Sequence, residues 1–215
     1  IVHSHHNYER IGGTIDDAPG EAFDKTARLL GLLQPGGPSI EEAAKTGDEH
    51  RFDLPRPLLN REGCDFSFSG LKTALMRKRN DLIEEQGGLF KQDICDLSAS
   101  FQQAMHDVIV KKSIRAIDLY CEITNENPVF SIAGGVAANK KIRQSLENIC
   151  KIKKVSFSAP PLELCTDNAA IIAYAAAERF LNDDYDDMTL SARPRWPLDN
   201  KKSAILGSGK KGPKA

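Results

Sequence analysis

Residues 128–181 constrain the fold most, because strand and helix patterns alternate along them. A short apolar run, PVFSI, precedes the pair Gly134–Gly135, and a segment with helical spacing then extends to Cys150. The run VSFS predicts a second strand, and the alanine-rich stretch after Asp167 predicts another helix. Strand, turn, helix, strand and helix in this order indicate an α/β fold in which helices cover a sheet.

Helical patterns also occupy much of the chain before residue 128. In the most regular one, residues 91–124, apolar side chains recur every three or four positions, so we expect a long core-facing helix with Phe101 and Met105 buried. The string DFSFSGLKTAL predicts a short strand that becomes a helix after Gly70. We further expect a helix over residues 16–32 with Thr14 as its cap, a short helix capped by Ser39, and irregular chain over residues 48–60.

Composition excludes several classes of protein. Of the 215 residues, 40% are hydrophobic and 27% are charged, which is ordinary for a globular protein and argues against a disordered chain. The longest apolar run, residues 169–177, is about half the roughly 20 residues that a membrane span needs, so we expect no membrane association. Five cysteines without a Cys-x-x-Cys pair are typical of a reducing compartment.

Charge is distributed unevenly along the chain. Five of the 29 basic residues are lysines that follow Asn200, so the first 200 residues carry 24 basic and 30 acidic side chains. We expect residues 1–199 to form one folded unit and residues 200–215 to form a flexible basic tail. Such a tail is usually solvated, and contact with phosphate is the alternative.

The pair Gly134–Gly135 is a candidate nucleotide-binding turn. Two glycines between a strand and a helix let the backbone approach a phosphate, and the amides at the helix N-terminus favour an anion. Asn139, which opens the next helix, could then hydrogen-bond a ribose or a base. The alternative is a tight turn with a capping asparagine, and spacing alone does not decide between them.

Asp167 is a candidate metal ligand. It lies in the first turn of the alanine-rich helix, with Thr166 as the predicted cap, and the helix dipole favours its ionised form. An ionised carboxylate can bind an oxygen-preferring cation, or iron or zinc together with imidazole ligands. The structural alternative, an aspartate that only stabilises the helix end, is the more common arrangement.

An acidic cluster near the start of the chain has two interpretations. Carboxylates of this kind can accept hydrogen bonds from ribose hydroxyls. They can equally form ordinary ion pairs four residues apart on one helix face, Glu21 with Lys25 and Asp24 with Arg28, and this interpretation is favoured. The cluster consists of Asp16, Asp17, Glu21 and Asp24.

The five histidines do not form a recognisable catalytic or metal site. His3, His5 and His6 lie at the very start of the sequence, where no framework orients them. His50 and His106 have no acid/base partner that the sequence identifies. The chain also lacks a Gly-x-Ser-x-Gly elbow, a Walker loop and a His-Glu-x-x-His motif.

Five motifs together resemble one known family. The strings TIDDAPGEAFDKTARLLGL, PGGP, DFSFSGLKTAL, AGGVAANKKIR and LCTDNAAIIAY occur in the order and at the intervals found in the tRNA threonylcarbamoyltransferase family, formerly called O-sialoglycoprotein endopeptidases or glycoproteases. The resemblance covers residues 8–196, which is nearly the whole chain. Five ordered motifs are far more specific than any one of them.

The resemblance implies a fold and a reaction. The fold would be the actin- and Hsp70-like nucleotide fold (ASKHA, RNase H-like), with this chain as its C-terminal lobe carrying helical insertions. The reaction would transfer a threonylcarbamoyl group from threonylcarbamoyl-AMP to the adenosine 3′ of the anticodon in tRNAs that read ANN codons.

The resemblance also assigns roles to residues. Asp24 and Gly37 would contact the adenylate at its ribose, and Asn139 would bind the nucleotide. The amides of Gly134 and Gly135 would steady the departing AMP. Asp167 would be a ligand of one divalent metal per full-length subunit, either iron or zinc. No residue of the chain is an obvious general base, so catalysis would rest on positioning and charge stabilisation.

One departure from the family pattern limits what this chain can do. The family's His-x-x-x-His metal pair and its Ser-Gly-Gly-His-Thr loop lie upstream of the matching region, and neither occurs here. We therefore expect the isolated chain to be inactive and to bind metal weakly. The alternatives are a noncatalytic nucleotide-binding or assembly subunit of the same complex and a phosphotransferase of the same superfamily.

The resemblance implies several partners: tRNA, threonylcarbamoyl-AMP, a paralogous inactive subunit and a small ATPase. Because the body of the chain is net acidic, contact with tRNA would need a local basic surface, the missing lobe or a partner. The candidate basic residues are Lys72, Arg77, Lys78 and Arg79. The expected location is the cytoplasm, with the mitochondrion as the alternative.

Overall fold

A computed structural model of the chain describes most of its residues. The described ranges are 1–4, 6–124, 126–166, 168–191, 197–199 and 201–202. Asp167 and His5 therefore lie outside the described residues, as does the tail from residue 203 onward. None of the described helices is long and apolar enough to cross a bilayer.

The described residues form a mostly helical α/β domain with two small sheets, as the alternating pattern predicts. The strands are β1 (Val2–Ser4), β2 (Asn7–Tyr8), β3 (Val129–Ser131) and β4 (Ser156–Ser158). The α-helices are α1 (Pro19–Leu29), α2 (Gly36–Ala44), α3 (Ser69–Gln86), α4 (Lys91–Ile123), α5 (Lys140–Lys153) and α6 (Ala169–Leu181). Two short 3-10 helices span Gly135–Ala138 and Leu162–Leu164.

Each sheet has two strands within the described part of the chain. Strands β1 and β2 form an antiparallel hairpin. Strands β3 and β4 are parallel, with Phe130 opposite Phe157, and α5 connects them in the right order for a strand–helix–strand unit. The strand predicted in DFSFS is reduced to a single bridge between Thr14 and Phe66, because α3 already begins at Ser69.

The core is built around α4, as its apolar spacing predicts. Phe101 and Met105 are fully buried, and Phe101 meets Phe23 of α1 edge to face, with their ring centroids 5.3 Å apart. The same cluster reaches Ile142 on α5, so one core joins α1 to the strand–helix–strand unit. This shared core fixes the relative positions of the elements that surround the candidate site.

Several predicted helix ends are wrong, since other residues cap them. Helix α1 begins at Pro19 rather than residue 16, and Thr14 donates its hydroxyl proton to the carbonyl of Asp17 instead of capping a helix. Helix α2 begins at Gly36, three residues before the predicted cap Ser39. At α6 the cap is Asn168, not Thr166, since Asn168 Oδ1 accepts the Ile171 amide proton at 3.1 Å.

Asp16 is excluded from α1 because its carboxylate organises the start of α3. Its Oδ1 accepts the amide protons of Phe68 at 2.8 Å and Ser69 at 3.2 Å. Its Oδ2 accepts the hydroxyl proton of Ser67. A carboxylate at a helix N-terminus satisfies amides that have no partner within the helix. Asp16 therefore ties the segment before α1 to the first turn of α3.

Arg51 anchors the predicted irregular segment 48–60, which is irregular but ordered. Its guanidinium forms ion pairs with Asp93 and Asp96 of α4, each with an N–O distance of 2.7 Å. Asp96 Oδ1 also accepts the Asp48 amide proton at 2.8 Å. Burial opposes ionisation of both carboxyls, but the hydrogen bonds that they accept outweigh it, so the pKa of each lies below its ordinary value.

The start of the predicted basic tail contacts the hairpin. Lys202 Nζ lies 3.0 Å from Glu9 Oε1, and the buried carboxylate of Asp199 accepts the Arg10 amide proton at 2.9 Å. Lys201 and Lys202 are the two tail residues that the structure describes. The flexible character of residues 200–215 as a whole stays a prediction.

Acid should remove the stabilisation that Asp93 and Asp96 provide. A carboxyl whose pKa is depressed on folding stabilises the fold above its unfolded pKa of about 4, and that contribution is lost as pH falls through the lower folded pKa. Arg51→Met should lower the free energy of unfolding at pH 7 by about 2 kcal/mol, because two buried carboxylates lose their cation. The deficit should narrow below about pH 4 as the carboxyls become protonated.

Urea denaturation of both proteins between pH 3 and pH 7 measures this. The matched control is Lys45→Met, which removes an exposed ion pair with Glu42 and should cost less than about 0.5 kcal/mol. A constant deficit of Arg51→Met across the whole pH range would show that the carboxylates do not carry the effect.

Candidate functional site

A cavity of about 210 Å³ lies where four separate segments of the chain meet. It is bounded by α1, by the start of α2, by the Gly135 turn with its 3-10 helix, and by the residue just before the undescribed Asp167. Four of the predicted site residues therefore converge on one cavity: Asp24, Gly37, Gly135 and Asn139. The other lining residues are Gly20, Phe23, Pro35, Pro38, Glu41, Val136, Ala138 and Thr166.

Asp24 and Gly36 hold the α1–α2 wall together. Asp24 Oδ1 accepts the Gly36 amide proton at 2.7 Å, which places the carboxylate at the N-terminus of α2. A Cβ on Gly36 would lie 2.6 Å from Asp24 Cα and 2.7 Å from the carbonyl oxygen of Phe23, so only glycine allows this approach. Among the described residues Asp24 Oδ2 has no hydrogen-bond partner.

The predicted ion pair between Glu21 and Lys25 is confirmed, with a distance of 2.7 Å from Lys25 Nζ to Glu21 Oε1. The ion pairs of the described residues do not include the predicted pair of Asp24 with Arg28. Asp24 instead uses its carboxylate for the Gly36 amide. Spacing in the sequence pointed to Arg28, four residues later on α1, as the partner of Asp24. The actual donor is the Gly36 amide, twelve residues later on α2. The consequence is that Asp24 belongs to the cavity wall rather than to an exposed helix face.

Gly37 differs from its neighbour Gly36. A Cβ on Gly37 would meet no atom within 4 Å, so this glycine is not required by packing inside the chain. It lines the cavity, and a side chain there would extend into open space beside it. In the string PGGP, the fold therefore requires glycine at Gly36. At Gly37 the lack of a side chain leaves space in the cavity.

The Gly134–Gly135 segment forms a tight turn between β3 and the following helical segment, as the sequence predicted. Gly134 has φ +83° and ψ 176°, a conformation that is essentially restricted to glycine. Its carbonyl accepts the Ala137 amide proton at 3.0 Å and thereby starts the 3-10 helix. Gly135 lines the cavity, whereas Gly134 shapes the turn behind it.

Asn139 is a structural cap, which is the alternative that the sequence left open. Its Oδ1 accepts the Ile142 amide proton at 3.1 Å, and its Nδ2 donates to Gln102 Oε1 at 2.8 Å. The residue is 6% exposed, so both bonds are shielded from water. Asn139 therefore joins the start of α5 to α4 while it also lines the cavity.

Glu41 is a cavity residue that the sequence analysis missed. It lies on α2 four positions after Gly37, and its Oε1 accepts the Lys140 amide proton at 2.8 Å. This contact bridges α2 to the N-terminus of α5, 99 residues away. The missed signal was the one-turn spacing between Gly37 and Glu41, which puts both on the same face of α2.

A charge network centred on the buried Asp17 joins the segment before α1 to α1 and α3. Asp17 is 5% exposed, and its carboxylate accepts hydrogen bonds from Lys25 at 2.6 Å and from Lys72 at 3.4 Å. Burial raises the pKa of Asp17, but the Lys25 hydrogen bond and both lysine charges lower it more, so the pKa lies below its ordinary value. Asp17 and Glu21 thus have structural roles, as the favoured interpretation of the acidic cluster stated.

His106 has partners that the sequence did not reveal. Its Nε2 lies 2.7 Å from the Ser145 hydroxyl on α5, and its Nδ1 lies 3.3 Å from an Asp107 carboxylate oxygen. Asp107 is also held by Arg56, with an N–O distance of 3.0 Å. These contacts fasten α4 to α5 away from the cavity lining.

The cavity can bind a polar ligand with hydroxyls and an anionic group. Asp24 and Glu41 each have one carboxylate oxygen held by a backbone amide, which fixes the orientation of the other oxygen. Carboxylates oriented in this way accept hydrogen bonds from hydroxyls, whereas the glycine turn exposes backbone. Phe23, Pro35, Pro38 and Val136 add apolar surface that a planar base can contact.

Comparison with known proteins identifies the family. The sequence model of the tRNA N6-adenosine threonylcarbamoyltransferase family, TsaD, matches residues 1–174. The chain belongs to this family. A tRNA N6-adenosine threonylcarbamoyltransferase from Ruegeria pomeroyi is 60% identical over 215 residues, 100% of this chain and 59% of the relative. One from Roseobacter denitrificans is 59% identical over 209 residues, 97% of this chain and 57% of the relative.

The TsaD relatives are longer than this chain. The chain spans about 59% of the length of the Ruegeria pomeroyi protein and the same share of a relative from a further Ruegeria species, which is 58% identical over 215 residues. The resemblance carried by the five motifs is therefore confirmed at the level of the family.

Gly36→Ala and Gly37→Ala should separate packing from ligand contact. Gly36→Ala should lower the free energy of unfolding by about 1–3 kcal/mol, because its Cβ overlaps the backbone of α1. Gly37→Ala should change it by less than about 0.5 kcal/mol, since its Cβ meets open space. Urea denaturation of the two variants beside the parent chain measures both values. Equal destabilisation by the two substitutions would contradict this description of the cavity wall.

Proposed function

We propose that this chain supplies the adenylate-binding half of a tRNA threonylcarbamoyltransferase. In this proposal the cavity binds threonylcarbamoyl-AMP, and the full-length protein transfers the threonylcarbamoyl group to the adenosine 3′ of the anticodon in tRNAs that read ANN codons. The observation that carries it is the convergence of Asp24, Gly37, Gly135 and Asn139 on one cavity in a member of the TsaD family.

The ribose is the part of the adenylate that fits Asp24 and Glu41. Both carboxylates have one oxygen fixed by an amide at a helix N-terminus, Gly36 for Asp24 and Lys140 for Glu41. Two oriented carboxylates match the two neighbouring hydroxyls of a ribose, since each hydroxyl can donate to one of them. Gly37 between them leaves room for the sugar.

The phosphate fits the Gly135 side of the cavity. Gly134 turns the backbone with a positive φ, and the 3-10 helix Gly135–Ala138 begins directly after it. Backbone amides at a turn that opens a helix bind anions through their N–H groups and the helix dipole. Asn139 holds this turn in place through Gln102 and the Ile142 amide, and its proposed role is to position the turn.

The reaction is an acyl transfer in which this chain binds and orients the donor. The exocyclic amine of the tRNA adenosine attacks the carbamoyl carbon of threonylcarbamoyl-AMP, a C–N bond forms, and the bond from that carbon to the phosphate oxygen breaks. AMP leaves with the electron pair of that bond, and the amine loses a proton. The turn amides stabilise the phosphate charge, so the chain contributes positioning and electrostatic stabilisation.

We propose Asp167 as one ligand of a divalent metal, iron or zinc. Among the described residues no group of three or more His, Cys, Asp or Glu side chains is arranged to hold a metal ion. Thr166, immediately before Asp167, lines the cavity. In the proposal the remaining ligands come from the part of the full-length protein beyond this chain. A bound divalent metal would polarise the carbamoyl carbonyl.

Family membership supports the finer fold and partner assignments. We propose that the domain is the C-terminal lobe of an actin- and Hsp70-like nucleotide fold and works with tRNA, a paralogous subunit and a small ATPase. The proposed location is the cytoplasm. The family match also favours acyl transfer over the alternative of a phosphotransferase, because the matched family is defined by threonylcarbamoyl transfer.

A chimeric enzyme tests the proposed function. In it, this chain replaces the matched 59% of the Ruegeria pomeroyi transferase. We expect the chimera, with its partner proteins and threonylcarbamoyl-AMP, to form N6-threonylcarbamoyladenosine in tRNA, and the isolated chain to form none. Asp24→Asn in the chimera should weaken adenylate binding about tenfold, since an amide replaces a charged acceptor while the Gly36 contact can persist.

The matched control is Asp81→Asn on the exposed side of α3, which should leave binding and turnover unchanged. Mass spectrometry of digested tRNA measures the product, and calorimetry with an adenylate analogue measures binding. A chimera that folds but neither binds the adenylate nor modifies tRNA would refute the proposal.

The basic surface of α3 generates a prediction about tRNA. Arg77 and Lys78 are exposed, whereas Lys72 is engaged with Asp17. Reversing both charges, Arg77→Glu with Lys78→Glu, should weaken tRNA binding by the chimera about tenfold at 0.1 M salt and reduce its salt dependence. The double variant Lys111→Glu with Lys151→Glu, at exposed positions of α4 and α5, is the control for an equal change of net charge. Unchanged tRNA affinity in the α3 variant would exclude this surface.

A further inference from the structure

Gln102 is a buried polar side chain in the core-facing helix α4. It is 7% exposed and lies between Phe101 and Met105, which are fully buried. A polar group in such a place costs free energy unless it forms a hydrogen bond. Gln102 forms one with a residue 37 positions away, since Asn139 Nδ2 donates to Gln102 Oε1 at 2.8 Å. The partner of this core glutamine is therefore a residue of the cavity wall.

The two contacts of Asn139 allow its side-chain amide only one orientation. Its Oδ1 accepts the Ile142 amide proton at 3.1 Å, so the oxygen faces the first turn of α5. Its Nδ2 then faces α4, where it can pair only with an acceptor, and Gln102 Oε1 is that acceptor. Exchanging the oxygen and the nitrogen would oppose two donors at Ile142 and two acceptors at Gln102.

One Nδ2 proton of Asn139 remains after both contacts are made. A side-chain amide nitrogen carries two protons, and only one of them is donated to Gln102. Within the described part of the chain, the other proton has no acceptor. Because Asn139 lines the cavity beside Gly135 and Ala138, a ligand in the cavity can supply one. An adenylate carries suitable acceptors in its ribose oxygens and ring nitrogens.

We propose that Gln102 is a positioning residue for the adenylate site and acts through Asn139. By accepting one Nδ2 proton, it keeps the Asn139 amide in the orientation that caps α5 and offers the other proton to the adenylate. Gln102 is not among the described residues that line the cavity, so it has no direct role in binding. The inference rests on the proposed function, since it takes the cavity to be the adenylate site.

Gln102→Met in the chimeric transferase tests this role. Methionine nearly keeps the length of the side chain but removes the acceptor, so the Asn139 amide loses one of the two contacts that orient it. The Kd for an adenylate analogue should rise about tenfold, as expected for the loss of one hydrogen bond to the ligand. The KM for threonylcarbamoyl-AMP should rise by the same factor while kcat stays within about twofold, because ground state and transition state lose the same contact.

Two further variants separate positioning from general damage to the core. Gln102→Glu keeps an acceptor, because a carboxyl oxygen can accept the Nδ2 proton whether or not the group is ionised. It should lower stability, since it buries an acidic group, yet keep the Kd within about threefold of the parent chimera. Gln103→Met makes the same substitution at the next residue, whose Nε2 donates to Asp107 at 2.7 Å, and should leave the Kd unchanged.

A double-mutant cycle with Asn139→Ala tests whether Gln102 acts through Asn139. In the Asn139→Ala chimera, Gln102→Met should change the Kd by less than about twofold, because the side chain that it orients is gone. Independent contributions would instead multiply, and the full tenfold effect would persist. Calorimetry with the adenylate analogue measures all four proteins of the cycle.

The orientation of Asn139 also has a readout that needs no ligand. In the isotope-labelled chimera, the NMR signals of the Asn139 side-chain amide are assigned by their loss in Asn139→Ala. The Nδ2 protons should exchange with solvent at least about tenfold faster in Gln102→Met than in the parent chimera, because their acceptor is gone. Gln102→Glu and Gln103→Met should retain the slow exchange of the parent.

Weaker binding and faster exchange in Gln102→Met alone, with no further loss of affinity in the Asn139→Ala background, would establish the role. The inference is overturned if Gln102→Met binds like the parent, if Gln102→Glu binds as weakly as Gln102→Met, or if exchange at Asn139 does not change. A parent chimera that binds no adenylate refutes the proposed function and this inference with it. A parent that binds normally, together with an insensitive Gln102→Met, refutes this inference alone.

Discussion

The hydrogen bond from the Gly36 amide to the Asp24 carboxylate is the contact on which the cavity depends. It joins α1 to α2 at 2.7 Å, and it exists because Gly36 has no Cβ to hold the two backbones apart. With this wall fixed, Gly37 and Glu41 face the same space as Asp24. The Glu41 carboxylate then reaches the Lys140 amide, so that α5 and the Gly135 turn complete the opposite wall.

The rest of the molecule holds these walls by burying polar groups that have partners. Arg51 forms ion pairs with both Asp93 and Asp96. The Asn139 side chain donates to Gln102 and accepts the Ile142 amide proton at the start of α5. Lys112 is 1% exposed and donates to the carbonyls of Arg61 and Gly63, and burial lowers its pKa from the ordinary value. These paired groups connect the elements around the cavity, whereas no residue of α6 is buried in the described structure.

The sequence predicted what depends on local pattern. The long helix α4 with buried Phe101 and Met105 follows from apolar spacing, and the Gly134–Gly135 turn from strand and helix signals on either side. The starts of α1 and α2 could not be predicted, because the competing donors and acceptors are distant in sequence, whereas at α6 the neighbouring Asn168 replaces Thr166 as the cap. Asp16 serves α3, fifty residues on, and the Asp24 partner lies on α2 rather than one turn away on α1. The position of Glu41 on the face of Gly37 was visible from its one-turn spacing, but its contact with Lys140, 99 residues away, was not.

The most direct test of the central claim is a crystal structure of the chimeric transferase with a non-hydrolysable threonylcarbamoyl-AMP analogue. We predict that the ribose hydroxyls lie within hydrogen-bonding distance of Asp24 and Glu41, and that the phosphate contacts the amides of the Gly134–Gly135 turn. An analogue bound elsewhere, with the cavity between α1, α2 and the Gly135 turn filled only by water, would contradict the account.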